Sequence, residues 1–222
     1  MQKLRTFVMV YMFCLGVMFS TSLTLIRAEM FGQLSEEEWQ YTYQFCMQEN
    51  VNACNYLIGN GLVSVEHCYT TQCDTVAMIY IIAGRFVEAL PYLHKSCEAG
   101  NMKSCSSLAD TYYFYLNDYF NAKKYYEFSC NNKYSTGCYG LGLLYGKGQG
   151  VRQSFEKEDD FYKKACSGKE SLGCYNLGVR FQSSTETKNY QSIAKEYYGK
   201  ACDYGYQEGC DRYREFNEAG IK

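Results

Sequence analysis

Five pairs of cysteines in this chain are separated by eight residues: Cys46/Cys54, Cys97/Cys105, Cys130/Cys138, Cys166/Cys174 and Cys202/Cys210. Chance placement at this cysteine density would give roughly one such pair. The pairs themselves recur, 33 residues from Cys97 to Cys130, then 36 to Cys166 and 36 to Cys202. A period in the mid-thirties marks an array of helix pairs. The eight-residue gap adds a constraint of its own. On one continuous helix the two cysteines would lie about 12 Å apart, whereas a disulfide needs Cα atoms within about 7 Å. A bond within a pair therefore requires the chain to reverse between its members. Gly100-Asn101, Asn131-Asn132, Ser167-Gly168 and Gly205 stand where that turn is needed.

Positions counted back from the first cysteine of a pair, and forward from the second, line up across repeats. Position −8 holds Ala89, Ala122 and Ala194, with Glu158 as the exception. Position −5 holds Tyr92, Tyr125, Phe161 and Tyr197, and −4 holds Leu93, Tyr126, Tyr162 and Tyr198. Position −1 is Ser96, Ser129, Ala165 or Ala201. This is one stripe of a helix, helix A. After the second cysteine, +3 holds Leu108, Leu141, Leu177 and Tyr213. Position +4 holds Ala109, Gly142, Gly178 and Arg214, and +7 holds Tyr112, Tyr145 and Phe181. This is a second amphipathic helix, helix B. Glycine inside a helix costs about 1 kcal/mol relative to alanine, so a recurring Gly or Ala at +4 predicts two helices crossing too closely for a larger side chain. Arg214 at that position predicts the end of the array, with a capping helix over about 207–219.

The run Ala-x-x-Tyr-Tyr-x-Lys-Ala-Cys-Asp-x-Gly-x-x-x-Gly-Cys at 194–210 resembles the Sel1-like repeat in its disulfide-bearing form, and Leu141-Gly142 with Gly146–Val151 continues that pattern. An exported, cysteine-paired array of this kind is similar to the Helicobacter cysteine-rich protein (Hcp) family. The likeness covers 86–222 well and 35–85 poorly. It implies an all-α fold, an α/α superhelix (solenoid) related to tetratricopeptide repeats. It also implies a secreted or periplasmic protein of a family reported to bind penicillin and designated β-lactamase.

The N-terminus reads as a signal peptide over 1–28, with cleavage after Ala28 as the first choice, after Ser22 as the second, and an uncleaved anchor from Phe7 to Ile26 as the alternative. Lys3 and Arg5 precede an apolar stretch from Phe7 to Phe19 and a small-residue end at Ala28. Its removal takes Lys3, Arg5 and Arg27 from the 22 basic residues, leaving 19 against 24 acidic ones, net −5 in place of −2. It also takes Cys14 from the 13 cysteines, leaving 12. An even number in an exported chain reads as a disulfide framework. Residues 29–222 then form a single solenoid, with irregular units over 35–85 and regular ones over 86–222. In the irregular part Ser35-Glu36-Glu37-Glu38 opens a helix running through Trp39 to about Cys46. Cys68 and Cys73 are five residues apart, and Val76, Ala77 and Tyr80 match +3, +4 and +7 after Cys73. The pairing expected there is Cys46–Cys54 and Cys68–Cys73, with Cys68–Cys73 the best candidate for an exchangeable bond.

Net acidity excludes a basic nucleic-acid surface, and no membrane association is expected once the signal is removed. Two histidines, His67 and His94, cannot build a zinc hydrolase site. No cofactor, metal or catalytic residue is implied. Ser154-x-x-Lys157 and Ser192-x-x-Lys195 fit the first element of serine β-lactamases and Tyr115-Leu-Asn117 the second, but no Lys-Thr-Gly or Lys-Ser-Gly completes the set. Both Ser-x-x-Lys matches read as helix starts. The Gly146–Gly150 run lacks the Gly-Lys-Ser/Thr of a phosphate loop and reads as a connection between repeats. The tyrosine stripe reads mainly as core. The function expected is a monomeric binding scaffold for a peptide or protein, with helix A lining its concave side. The alternative, which the family resemblance implies, is a β-lactam-binding protein with weak β-lactamase (penicillin hydrolase) activity, its ligand a β-lactam or cell-wall peptide. Lys95, Lys164 and Lys200, all at −2, are the binding candidates on that side, and Phe128 takes their place in one repeat.

Overall fold

The structure, a computed structural model, describes residues 36–47, 51–59, 73–183 and 189–221. The signal peptide over 1–28 and the Ser35 cap lie outside them. The chain divides into two compact units between Ser96 and Cys97. In the first unit, helices α1 (Glu36–Met47), α2 (Val51–Gly59) and α3 (Cys73–Ile82) pack on one another. Val76, Ala77 and Tyr80 are buried in α3, as their match to the repeat requires. Tyr80 stacks on Tyr92 of α4 (Phe86–Glu98), with ring centroids 5.1 Å apart. Cys46 and Cys73 are buried and disulfide-bonded. The pairing expected for them involves Cys68 and the Cys54 side chain and lies outside the described residues.

The second unit is a run of alternating helices: α5 (Met102–Asp110), α6 (Tyr119–Asn131), α7 (Ser135–Lys147), α8 (Phe155–Ser167), α9 (Ser171–Gln182), α10 (Tyr190–Asp203) and α11 (Gln207–Glu218). Within this unit successive helices from α5 to α11 pack on one another, and α5 also packs on α7 of the next repeat. That is the neighbour-only packing of a repeat array. α5 continues into one π-helical stretch, Thr111–Tyr115, so that only 116–118 separate it from α6. Seven residues, 148–154, separate α7 from α8. The shorter connection explains the 33-residue period of that repeat.

The cysteine pairs of this unit close locally. Cys97–Cys105, Cys130–Cys138, Cys166–Cys174 and Cys202–Cys210 are bonded, with Cα atoms 4.7, 4.6, 4.6 and 4.5 Å apart. The reversal between them rests on a left-handed residue three positions after the first cysteine: Gly100, Lys133, Lys169 and Gly205. Each donates its N–H to the carbonyl of that cysteine. In the two middle repeats the left-handed residue is therefore a lysine, and Gly168, expected at the turn, has an ordinary φ of −85°. Just before the second cysteine the helices cross so closely that a Cβ on Gly173 would stand 2.6 Å from Ala165, and one on Gly209 would stand 2.7 Å from Ala201.

Between repeats, the −4 tyrosines are the fixing points. Tyr126, Tyr162 and Tyr198 are fully or almost fully buried. Tyr162 lies over Gly142 and Tyr198 over Gly178, the +4 glycines of the preceding repeats. Tyr126 packs with Ala109, the alanine at the same position. The hydroxyls are satisfied: Tyr126 donates to Asp110 at 2.6 Å, Tyr198 to Gln182 at 2.5 Å, and Tyr162 pairs with Asn176. In α11 Arg214 is 64% exposed and pairs with Asp211 at 3.4 Å, so no helix among the described residues covers it.

A Cβ on Gly178 would stand 2.6 Å from the Tyr198 ring. Gly178→Ala is therefore expected to destabilise by about 1–3 kcal/mol, even though alanine is the better helix former by about 1 kcal/mol. Arg214→Ala, at the same position of the last repeat, is expected to shift stability by less than about 0.5 kcal/mol. Urea denaturation of the two variants checks this, and equal effects would refute the joint.

Candidate binding surface

A second aromatic row crosses the same joints nearer the surface. The +7 ring of one repeat stacks on the −5 ring of the next. Tyr112 lies on Tyr125 at 6.0 Å and 6°, Tyr145 on Phe161 at 5.5 Å and 14°, and Phe181 on Tyr197 at 5.5 Å and 0°. All six rings are partly exposed. Each stack carries a cation: Lys124 is 5.0 Å from the Tyr125 centroid, Lys157 4.9 Å from Tyr145, Lys164 5.1 Å from Phe161 and Lys200 5.0 Å from Tyr197. A cation over a ring contributes about 0.5–1 kcal/mol at exposed sites.

Lys164 and Lys200 thus occupy equivalent places beside equivalent stacks. Both lie in the last turn of their helices, where positive charge also complements the helix dipole. Lys200 is further paired with Glu196 at 2.6 Å, which, ahead of its other surroundings, holds its pKa above the usual lysine value. Lys95 likewise ends its helix, in the first unit. Phe128, at the corresponding place in α6, is 47% exposed. The pairing of the +7 and −5 rows was missed by reading each helix separately. The signal was present, since both rows are aromatic in every repeat that has a successor.

The buried side of the joints holds the ionisable groups. Burial raises the Asp110 carboxyl to about 6, against the hydrogen bond from Tyr126, and Glu170 adds to the rise. Burial also drives the Tyr126 phenol far above its ordinary value, with Asp110 reinforcing it. Glu158, the exception at −8, stands against Gly146, where any Cβ would strike its carboxylate. Burial raises its pKa, while Arg180, 3.7 Å away and also bonded to Asp159 at 3.0 Å, opposes the rise.

The catalytic matches find local uses. Ser154 Oγ accepts the Lys157 N–H at 3.3 Å as the cap of α8, and Lys157 sits over Tyr145. Ser192 is exposed in α10, and Lys195 Nζ donates to the Ile221 carbonyl. Asn117 Oδ1 accepts from the Tyr119 hydroxyl at 3.1 Å. The glycine-rich connection is shaped by packing. Gly148 ends α7 at φ 69°, and a Cβ on Gly150 would stand 2.7 Å from Tyr119. Gln149 links Tyr113 and Tyr119 by hydrogen bonds of 2.6 and 2.9 Å. An open cleft of about 400 Å³ lies between α10 and α11, lined by Glu196, Gly199, Lys200, Cys202, Asp203 and Tyr213. Among the described residues no group of three His, Cys, Asp or Glu could hold a metal, and no helix is long and apolar enough to cross a membrane.

Asp110 gives a pH prediction. Its folded pKa of about 6 exceeds the ordinary 3.8, so the folded chain takes up this proton first. The group's contribution to stability therefore rises as pH falls through 6 and is lost above it. Asp110→Asn should be more stable than the parent at pH 7.5 by about 1–2 kcal/mol, with a smaller gain between pH 7.5 and 4.5. Parallel pH profiles in urea denaturation would contradict this.

Comparison with known proteins supports the fold. No family model matches the chain. A 40-residue stretch is 45% identical to HcpC of Helicobacter pylori, a protein that carries the name β-lactamase. The match spans 18% of this chain and only 14% of that protein. A Sel1 repeat protein of Oxalobacter formigenes superposes with a TM-score of 0.61 over 78% of this chain and 77% of that one, at 15% identity. The protective antigen c5321 of uropathogenic Escherichia coli, with an SLR fold, superposes with a TM-score of 0.58 over 83% of this chain and 42% of its own, at 18% identity.

Proposed function

Taking the chain as what its fold makes it, a disulfide-bonded Sel1-like repeat protein resembling the Helicobacter cysteine-rich family, we propose that it is an exported scaffold that binds a peptide or protein segment along the row of stacked ring pairs. Residues 1–28 would direct export, and 29–222 would be the mature, monomeric chain. Local disulfides in each regular repeat suit an oxidising compartment such as the periplasm or the medium. The observation that carries the binding reading is the recurrence of one partly exposed unit, two stacked rings and an ammonium, at successive joints. A buried core needs no such exposure, whereas a chain laid along the array would meet the same chemistry at each step.

The name of HcpC suggests a β-lactam as the alternative ligand. Ser154 and Lys157 are engaged in a cap and a ring contact, so hydrolysis would need other groups.

The test is an array of unrelated twelve-residue peptides, probed with the oxidised mature protein. A subset should be retained, less at 0.5 M salt than at 0.05 M because exposed charges are screened. The double variant Lys164→Ala, Lys200→Ala should retain that subset about three- to tenfold less, with its circular dichroism unchanged. Retention of no peptide, or equal retention by the variant, would reject the proposal.

A further inference from the structure

The ring row is not uniform, and its irregularity at the −2 position bears on which segment it would take. Lys124, Lys157 and Lys164 are exposed, and Lys200 is 41% exposed. Each lies within about 5 Å of a ring of the row. The surface is thus apolar in its rings with an ammonium beside each stack, that of Lys200 being already paired with Glu196 at 2.6 Å, so that an acidic segment would have to compete with Glu196 there. At the −2 position, where α8 and α10 carry Lys164 and Lys200, α6 carries Phe128, 47% exposed. A large apolar side chain in water at a place where the fold accepts lysine contributes nothing to the core. Neighbouring cations would discourage a basic partner and favour carboxylates.

Resting on the binding reading above, we propose that the segment held is extended and acidic, with one apolar side chain seated at Phe128 and carboxylates reaching Lys164 and Lys200. Adjacent helices lie about 8–10 Å apart, which puts equivalent positions of neighbouring repeats roughly 10–15 Å from each other. An extended chain covers about 3.3 Å per residue. The three contacts therefore fall about three to four residues apart on the segment. Phe128 sets the register, because it is the −2 position at which an apolar side chain replaces the lysine of the next two repeats, although Lys124 lies over the Tyr125 ring of the same helix.

Fluorescence anisotropy on the oxidised full chain tests this with three labelled, acetylated and amidated peptides. One is Gly-Leu-Gly-Gly-Glu-Gly-Gly-Glu-Gly-Gly, the second has both Glu replaced by Lys, and the third has Leu replaced by Gly. The same three are made in reverse order, to allow either chain direction. The Leu/Glu peptide in one of its two directions should bind at least tenfold more tightly than its Lys analogue. It should also bind about fivefold more tightly than its Gly analogue. Phe128→Lys, which installs the lysine of the other repeats on an exposed site, should remove the preference for Leu while keeping that for Glu. Equal binding of the Glu and Lys peptides would overturn the acidic assignment and leave peptide binding standing. A Leu preference that survives Phe128→Lys would overturn the register. Binding of none of the peptides at millimolar concentration would overturn the proposal and the binding reading together.

Discussion

A tyrosine ring lying on a residue with little or no side chain holds successive repeats of the second unit together. Tyr162 over Gly142 and Tyr198 over Gly178 leave no room for a Cβ, and Tyr126 shares a core cluster with Ala109, the small residue at the same position. The ring is large, rigid and buried, and the surface beneath it is backbone. Contact at that range fixes both the distance and the angle between one repeat and the next. The hydroxyl at the far end of the ring needs a partner once buried, and Asp110, Asn176 or Gln182 supplies it. The stacked pairs outside these tyrosines follow from the same approach, since −5 and +7 come into register only when −4 sits on +4.

The disulfides act at a different place. Each of the four disulfides of the second unit closes the turn from helix A to helix B, next to a left-handed residue, so it joins the two helices of one repeat and not two repeats. A loop of about nine residues closed in this way contributes roughly 2–3 kcal/mol by restricting the unfolded chain. Individual repeats too small to bury a core of their own are thereby made into units. Covalent bonds within repeats and ring packing between them divide the work of holding the array.

The repeat, its two helices and the local pairing of Cys97 to Cys210 could be read from spacing, because disulfide reach and helical rise leave few alternatives. The close crossing at +4 was also legible, since glycine in a helix interior needs a reason. Three features were not. The left-handed Lys133 and Lys169 escaped because lysine carries no turn signal. The π-helical stretch at Thr111–Tyr115 escaped because its side chains continue the apolar stripe of α5. The ring pairs escaped because −5 and +7 belong to different helices of different repeats, and a stripe on one helix does not name its partner. Lys164 and Lys200 were legible as a recurrent position, but their ring and helix-end contacts depend on side-chain placement.

The most direct measurement of the ring-on-glycine joint is a double-mutant cycle between Gly178→Ala and Tyr198→Ala, read by urea denaturation of the oxidised chain. If the ring is what forbids a Cβ at 178, Gly178→Ala should be destabilising with Tyr198 present and neutral or stabilising once Tyr198 is trimmed. That is a coupling of at least about 1 kcal/mol. Additive effects of the two changes would mean that glycine is required there for another reason, and that the repeats are held together by something other than this contact.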